Sequence, residues 1–291
     1  MFEINRIGKK DIESFRIFLT DNEYREAVDT FERSEIYGAF KFFIPVGYLR
    51  IFKKYKDRYC LNYLFVAQKH RKNGLGDLFI KKTLEILNRD NITELLTEYT
   101  TVPEYDKPVD KLLEKHGFSD PELLSGICYT DRRILRSPWL RRAKIPEKYK
   151  VIQWDKVEEN IKEKLKFDKE KKDWENDNLS PFNDENKDYI PQLSFCILDH
   201  DKVLGWIITT LANKETTRYG NIYIRKKYRG NGYSFALLYK ALVKQDELFP
   251  DIPYGLWRFP ANNQERVNFN NRRMGSYLIS LKHKVGRILK I

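Results

Sequence analysis

The sequence predicts a mixed α/β protein built as two tandem units, each a central mixed sheet flanked by helices. Three observations carry that prediction. In each half of the 291 residues, a strand, a glycine-containing loop and an amphipathic helix follow one another. The two loops keep one spacing: Arg71 and Arg229, Asn73 and Asn231, Gly74 and Gly232, and Lys82 and Lys240 are each 158 positions apart. A later pair of glycines, Gly117 and Gly275, repeats that spacing. Self-similarity at a fixed offset marks repeated supersecondary units, and a chain of this length accommodates two domains of ordinary size.

In the first half, the apolar strand 61–66 runs into the loop 67–76. Apolar groups at 75, 78, 79, 83, 86 and 87 then mark one helical face, counting the Thr83 methyl. In the second half, strand 221–224 runs into loop 225–234. The helix 235–244 follows, with Tyr233, Leu237, Leu238, Ala241 and Leu242 on its apolar side.

The remaining segments repeat one plan. The first unit is expected to hold strand 2–4, helix 10–19, and strands 37–44, 46–53 and 60–66. After the loop helix come strand 93–101, helix 108–116 and strand 127–135. The second unit opens at 150–154 and continues with strands 193–198, 203–211 and 218–224, then 254–259 and 277–283. Residues 199–202 read as a polar hairpin turn. Pro138 and Pro146 bracket the expected linker 137–146, which gives domains 1–136 and 147–291. The second copy is longer upstream of its loop, within 155–191, a charged stretch that includes Asp168-Lys169-Glu170-Lys171-Lys172-Asp173. It reads as a solvated helix plus loop, with an extended substrate-side loop as the other reading.

Hydrophobic residues at 41% and aromatics at 14% supply two cores. The first fifteen residues mix Glu3, Arg6, Lys9, Lys10, Asp11 and Glu13 with apolar side chains, so no signal peptide is expected. No apolar run approaches the ~20 residues of a membrane helix. The expectation is a cytoplasmic protein with no membrane partner. Cys60, Cys128 and Cys196 are odd in number and far apart, and His70, His116, His200 and His283 lack metal-ligand spacing. Neither a disulfide framework nor a metal site is expected.

Net charge is +12, with 54 basic against 42 acidic residues. Between Glu215 and Asp246 there is no acid, while Arg218, Arg225, Lys226, Lys227, Arg229, Lys240 and Lys244 fall there. After Glu265 the chain is again free of acids. Such clusters bind nucleic acid or a small polyanion, or form a generic basic surface. The repeated loops favour the small polyanion and make nucleic acid the weaker partner.

At these loops the chain resembles the GNAT superfamily of acetyl-CoA-dependent N-acetyltransferases, over nearly its whole length as two copies. The family pattern is Arg or Gln, two residues, Gly, one residue, then Gly or Ala. Arg71-Lys72-Asn73-Gly74-Leu75-Gly76 matches throughout, and Arg229-Gly230-Asn231-Gly232-Tyr233-Ser234 departs only at Ser234. The family's later Gly-Phe pair is matched by Gly117-Phe118 and by half in Gly275-Ser276. A glycine loop entering a helix N-terminus aims backbone N–H groups at an anion, and the helix dipole favours negative charge there. The resemblance implies that these loops cradle the CoA pyrophosphate. It also implies that the preceding strand ends, Phe65 and Val66 and then Tyr223 and Ile224, lie along the bound cosubstrate. A Rossmann reading fails because the glycines are too few and each loop follows a mid-domain strand.

Transfer to an amine needs a deprotonated amine, oxyanion stabilisation and a proton for the thiolate. The family often places a tyrosine acid four residues before the later glycine; the corresponding residues are Leu113 and Asn271. Leu113 has no proton to donate, so the second copy is preferred for catalysis, with Asn271 as the counterpart and Tyr223 or Tyr277 as substitute donors. The expected function is acetyl transfer from acetyl-CoA to an amine by direct transfer, with CoA bound in both copies and turnover in the second. Two other classes stand beside it: a non-catalytic acyl-CoA-binding protein, and a tRNA-dependent aminoacyl transferase, since such enzymes also pair two GNAT-like domains.

Overall fold

The computed structural model describes residues 2–54, 58–101, 107–168, 172–175 and 179–291. In chain order it contains β1 (Glu3–Arg6), a 3-10 run (Lys9–Phe18), α1 (Asp21–Asp29), β2 (Ser34–Lys41), β3 (Ile44–Lys53) and β4 (Arg58–Val66). Next come α2 (Leu75–Arg89), β5 (Glu94–Thr101), α3 (Lys107–Lys115), β6 (Glu122–Thr130) and α4 (Pro138–Arg141). Then follow β7 (Lys150–Gln153), α5 (Glu159–Lys166), α6 (Lys172–Glu175), β8 (Phe195–Asp199), β9 (Lys202–Asn213) and β10 (Thr216–Ile224). The chain closes with α7 (Tyr233–Leu248), β11 (Tyr254–Pro260), α8 (Gln264–Phe269) and β12 (Leu278–Lys290).

Two compact units divide the chain: residues 1–124 with 283–291, and residues 125–282. This division differs from the expected domains 1–136 and 147–291. Each unit takes the last strand of its sheet from the other half of the sequence.

In the first unit the strand order is β1-β2-β3-β4-β5, followed by residues 283–290 of β12. β4 and β5 run parallel and the other pairs are antiparallel. β2 and β3 are buried along most of their length because both faces are covered. On one face α2 contributes Leu75, Phe79, Ile80, Ile86 and Leu87 to a core with Val46, Leu49 and Ile51. On the other, Ile12, Phe15 and Ala27 pack against Tyr48 and Ile36. The second unit repeats the arrangement: β7-β8-β9-β10-β11, then residues 125–130 of β6, with β10 and β11 parallel. Helix α7 covers one face with Leu237, Leu238, Ala241 and Leu242. Ile161, Leu165 and Trp174 cover the other.

The spacing read from the sequence extends to whole elements. β4 and β10 have equal lengths and begin 158 positions apart, as do the first residues of α2 and α7. Each strand carries an irregularity at the same place, with Asn62 bulged in β4 and Tyr219-Gly220 bulged in β10.

Some expectations are corrected. The helix at 10–19 is a 3-10 run, and the α-helix of this region is α1, fixed by a capping box in which Thr20 and Glu23 bond reciprocally. The strand expected at 127–135 lies at Glu122–Thr130 and is followed by a 3-10 turn over Arg132–Arg136. The segment expected as the linker 137–146 is packed at its start: Ser137 and Leu140 are fully buried and Trp139 meets Phe235 and Phe269 edge-on. Pro138 opens α4, where its fixed φ suits a first helical turn. In the 155–191 stretch, burial of Ile161, Leu165 and Trp174 gives α5 and α6 a covered face. Residues 169–171 and 176–178 of that stretch lie outside the described residues.

Candidate functional site

Each loop turns into its helix through a glycine in the left-handed region, Gly74 with φ 80° and Gly232 with φ 76°. A Cβ at either position would meet nothing within 4 Å, so conformation rather than space requires glycine. Two residues earlier the backbone is left-handed again, at Lys72 and at Gly230. The loop arginines fold back alike: Arg71 Nε donates to the Val66 carbonyl and Arg229 Nε to the Ile224 carbonyl, each at 3.0 Å. Lys72 and Asn73 are exposed, while Asn231 Nδ2 donates to the Tyr228 carbonyl at 3.3 Å. Leu75, Tyr233 and Ile224 are core residues, and Phe65 stacks on Phe18, so their side chains are engaged within the protein and only their backbone is available to a ligand.

In the second unit the first helical bond of α7 runs from Ala236 N to the Gly232 carbonyl at 3.0 Å. The N–H groups of residues 233–235 therefore lack helical acceptors. No side chain caps them and the first turn holds no acid. The positive end of the helix dipole thus faces outward uncompensated. Beside it β10 and β11 pair only over residues 216–218 and 254–256, then diverge. A cavity of about 500 Å3 opens at this splay. Ile222 of β10, Ser234 and Phe235 of α7, Trp257 and Phe259 of β11, and Phe269, Asn270 and Met274 line it, with Tyr219 and Arg258. An apolar slot ending at a helix N-terminus fits a slender chain with an anionic end.

The first unit places different chemistry at the same positions. Asp77 stands in the first turn of α2, where the second unit has Phe235. It accepts from Lys115 Nζ at 2.6 Å and from His116 Nε2 at 2.9 Å. The Lys115 bond, then the His116 bond, holds its carboxyl below the usual carboxylate range. A carboxylate thus stands in the first turn of this helix, although no side chain caps its N-terminus. Leu112, counterpart of Asn270, closes on Gly76, where an added Cβ would lie 3.1 Å from Leu112 Cδ2. On β5, Tyr99 is tied to the fully buried Arg287, which also donates to Asp110 at 2.7 Å and to the Ser119 carbonyl at 3.0 Å.

The two candidate catalytic residues fall outside the cavity. Asn271 is exposed on a π-helical turn, Asn270–Met274, and the neighbouring Asn270 faces the cavity instead. The first unit shows the same register in an ordinary α-helix, where Leu112 closes on Gly76 and Leu113 is core. Asn270 Oδ1 accepts from Trp257 Nε1 at 2.9 Å and from Cys128 Sγ at 3.5 Å. Tyr223 points to the opposite sheet face, stacked on Trp206 at 4.7 Å with the Arg229 guanidinium over its ring. Leu113 is a core residue. Reasoning from sequence missed Tyr219, Trp257, Phe259 and Asn270; the 158 offset from Leu112 was the available signal for the last. The Tyr219 hydroxyl donates to Gln245 Oε1, and burial pushes its pKa up. Burial likewise pushes Cys60 to about 11 and Cys128 to about 12, so both thiols stay protonated at neutral pH and are poor nucleophiles.

Among the described residues, no cluster of His, Cys, Asp or Glu could hold a metal ion, and no helix is long and apolar enough to cross a membrane.

No curated protein matches the chain in sequence. In fold it is similar to a tandem GNAT protein from the clavulanic acid biosynthesis pathway (TM-score 0.69, 12% identity, covering 100% of this chain and 98% of that one). It is also similar to a GCN5-related N-acetyltransferase from Sphaerobacter thermophilus (TM-score 0.62, 14% identity, 99% and 95% covered). The model of the acetyltransferase (GNAT) family matches residues 10–118 and again 154–273. With two copies of the loop, helix and splayed strands in place, the chain belongs to the acetyltransferase (GNAT) family, whose members are acyl-CoA-dependent acyltransferases.

Proposed function

We propose that the protein transfers an acetyl group from acetyl-CoA to an amine, directly within a ternary complex, at the cavity of the second unit. The observation that carries this reading is the 500 Å3 slot that begins at the uncapped, acid-free N-terminus of α7. The N–H groups of residues 233–235, with the Ser234 hydroxyl, would hold the pyrophosphate. Beyond residue 218, the edge of β10 that faces β11 has left its ladder, and N–H groups there would polarise the thioester carbonyl. A thiol of ordinary acidity, with a pKa of about 8.5, leaves as thiolate without a strong acid. Transfer then depends chiefly on delivering a neutral amine. In this reading the chain has one acyl-CoA site, and the first unit, with Asp77 and Leu112 in place, is structural.

A second reading, a non-catalytic acyl-CoA-binding protein, is favoured by one feature: the cavity lining among the described residues holds no carboxylate or imidazole. Incubating the protein with acetyl-CoA and a panel of amines, and following thiol release, separates the two. Amine-dependent release that Gly232→Val removes supports transfer. Tight CoA binding with no release for any amine supports the second reading.

A further inference from the structure

The hairpin joining β2 to β3 is a two-residue turn, with Lys41 paired to Ile44 across it. Both central residues, Phe42 and Phe43, have positive φ, 52° and 65°. Such a turn favours Asn or Gly, since a left-handed backbone crowds any larger side chain. The same two phenylalanines are 82% and 92% exposed, and Ile44 beside them is 65% exposed. The sequence thus accepts backbone strain and apolar exposure together at the tip, where Asn-Gly would relieve both. Strain of this kind persists where function demands it.

The surroundings of the tip are basic. Lys41 flanks the turn, its Nζ 6.0 Å from the Phe42 ring centre. β4 runs antiparallel to β3, and Ala67 N donates to the Val46 carbonyl, so the chain leaving β4 passes beside the tip. That segment exposes Lys69 and Lys72. On the opposite side β1 brings Glu3, level with Phe40, as the acid at this end of the sheet.

We propose that this tip is a membrane-surface anchor: Phe42, Phe43 and Ile44 insert into the headgroup region of an anionic bilayer while Lys41, Lys69 and Lys72 meet its charge. An exposed turn carrying two phenylalanines enters a deformable apolar layer without a preformed pocket, and aromatic side chains belong at such interfaces. Adjacent lysines add attraction to anionic lipid that fades within a Debye length and with salt. The association is peripheral, and it departs from the expectation of no membrane partner. Because it uses Lys72 of the first loop, it rests on the reading that acyl-CoA binds in the second unit.

Flotation of the full chain with vesicles of phosphatidylcholine alone, or of phosphatidylcholine mixed with phosphatidylglycerol, tests this. The wild type is expected to float with the anionic vesicles and at least ~tenfold less with the neutral ones. Raising the salt should reduce flotation. The double substitution F42N/F43G installs the residues such a turn prefers, so the fold is kept, and it should lower vesicle binding at least ~tenfold. K41E/K69E should lower binding to anionic vesicles and remove its salt dependence. No flotation of the wild type, or equal flotation of F42N/F43G, overturns the proposal. So does a wild-type dimer, a protein complex or an RNA complex that F42N/F43G dissolves, since the tip would then serve another partner.

Discussion

Asp77 Oδ1 lies 2.9 Å from His116 Nε2, so the first turn of α2 is fastened to the residue that follows α3. In the second unit the residue corresponding to Asp77 is Phe235, which stacks on Phe269 and leaves the N-terminus of α7 without a negative group. The two units share a loop, a helix and a strand bulge, yet only the second has a helix N-terminus with no acid in its first turn. A duplicated fold can keep its architecture while one copy loses its ligand, because the sheet and helices do not depend on the slot.

The Asp77 contact has a pH signature. Its folded pKa is lowered, so its contribution to stability is complete above the unfolded value of about 3.9 and is lost as pH falls through the folded value. Asp77→Asn should lower stability at pH 7 by no more than about 1 kcal/mol, because the group is partly exposed. In strong acid the variant and the wild type should converge. Urea denaturation at the two pH values checks this.

Asn270→Leu should make the second unit resemble the first. Leu112 closes on Gly76, and a leucine at 270 would crowd Ser234 in the same manner. Acetyl-CoA affinity should fall at least ~tenfold, which is about 1.4 kcal/mol. Stability should fall by about 1–2 kcal/mol, since Trp257 Nε1 loses its acceptor. Calorimetric titration together with thermal unfolding separates the two effects.

Arg287→Ala should loosen the first unit specifically. The guanidinium is 1% exposed and binds Tyr99, Asp110 and the Ser119 carbonyl. Its carboxylate partners are more exposed and can rehydrate, so the loss should be roughly 2–3 kcal/mol. Hydrogen exchange should quicken in β5, which pairs with the strand carrying Arg287, and stay slow in β10.

Local patterns in the sequence marked the repeated features well. The glycines at 74 and 232 stand where their loops enter α2 and α7, as their context suggested, and β4 and β10 start where one offset places them. Non-local choices were not legible. Residues 125–130 and 283–290 have strand patterns, but nothing in either segment says which sheet it joins. Helix α1 was not read from the sequence, because the preceding 10–19 segment carries its own amphipathic period and reads as the helix. Asn270 was not read because the count ran from Gly275, whereas the residue that faces the cavity is the one 158 positions after Leu112.

Relieving the strained turn should stabilise the protein whatever the tip binds. Phe42 and Phe43 sit in a region that disfavours any side chain, so F42N/F43G should raise stability by about 1–2 kcal/mol. Urea unfolding of the two proteins side by side measures it.

Titration of acetyl-CoA into the wild type, Gly74→Val and Gly232→Val by calorimetry tests the assignment of the site most directly. Both glycines cap a helix with positive φ and open space around the missing Cβ, so the two substitutions impose equal backbone strain and control for each other. One site per chain is expected, retained with little change in Gly74→Val and abolished in Gly232→Val. Two sites in the wild type, or loss of binding in Gly74→Val with binding kept in Gly232→Val, would contradict a single slot at the N-terminus of α7.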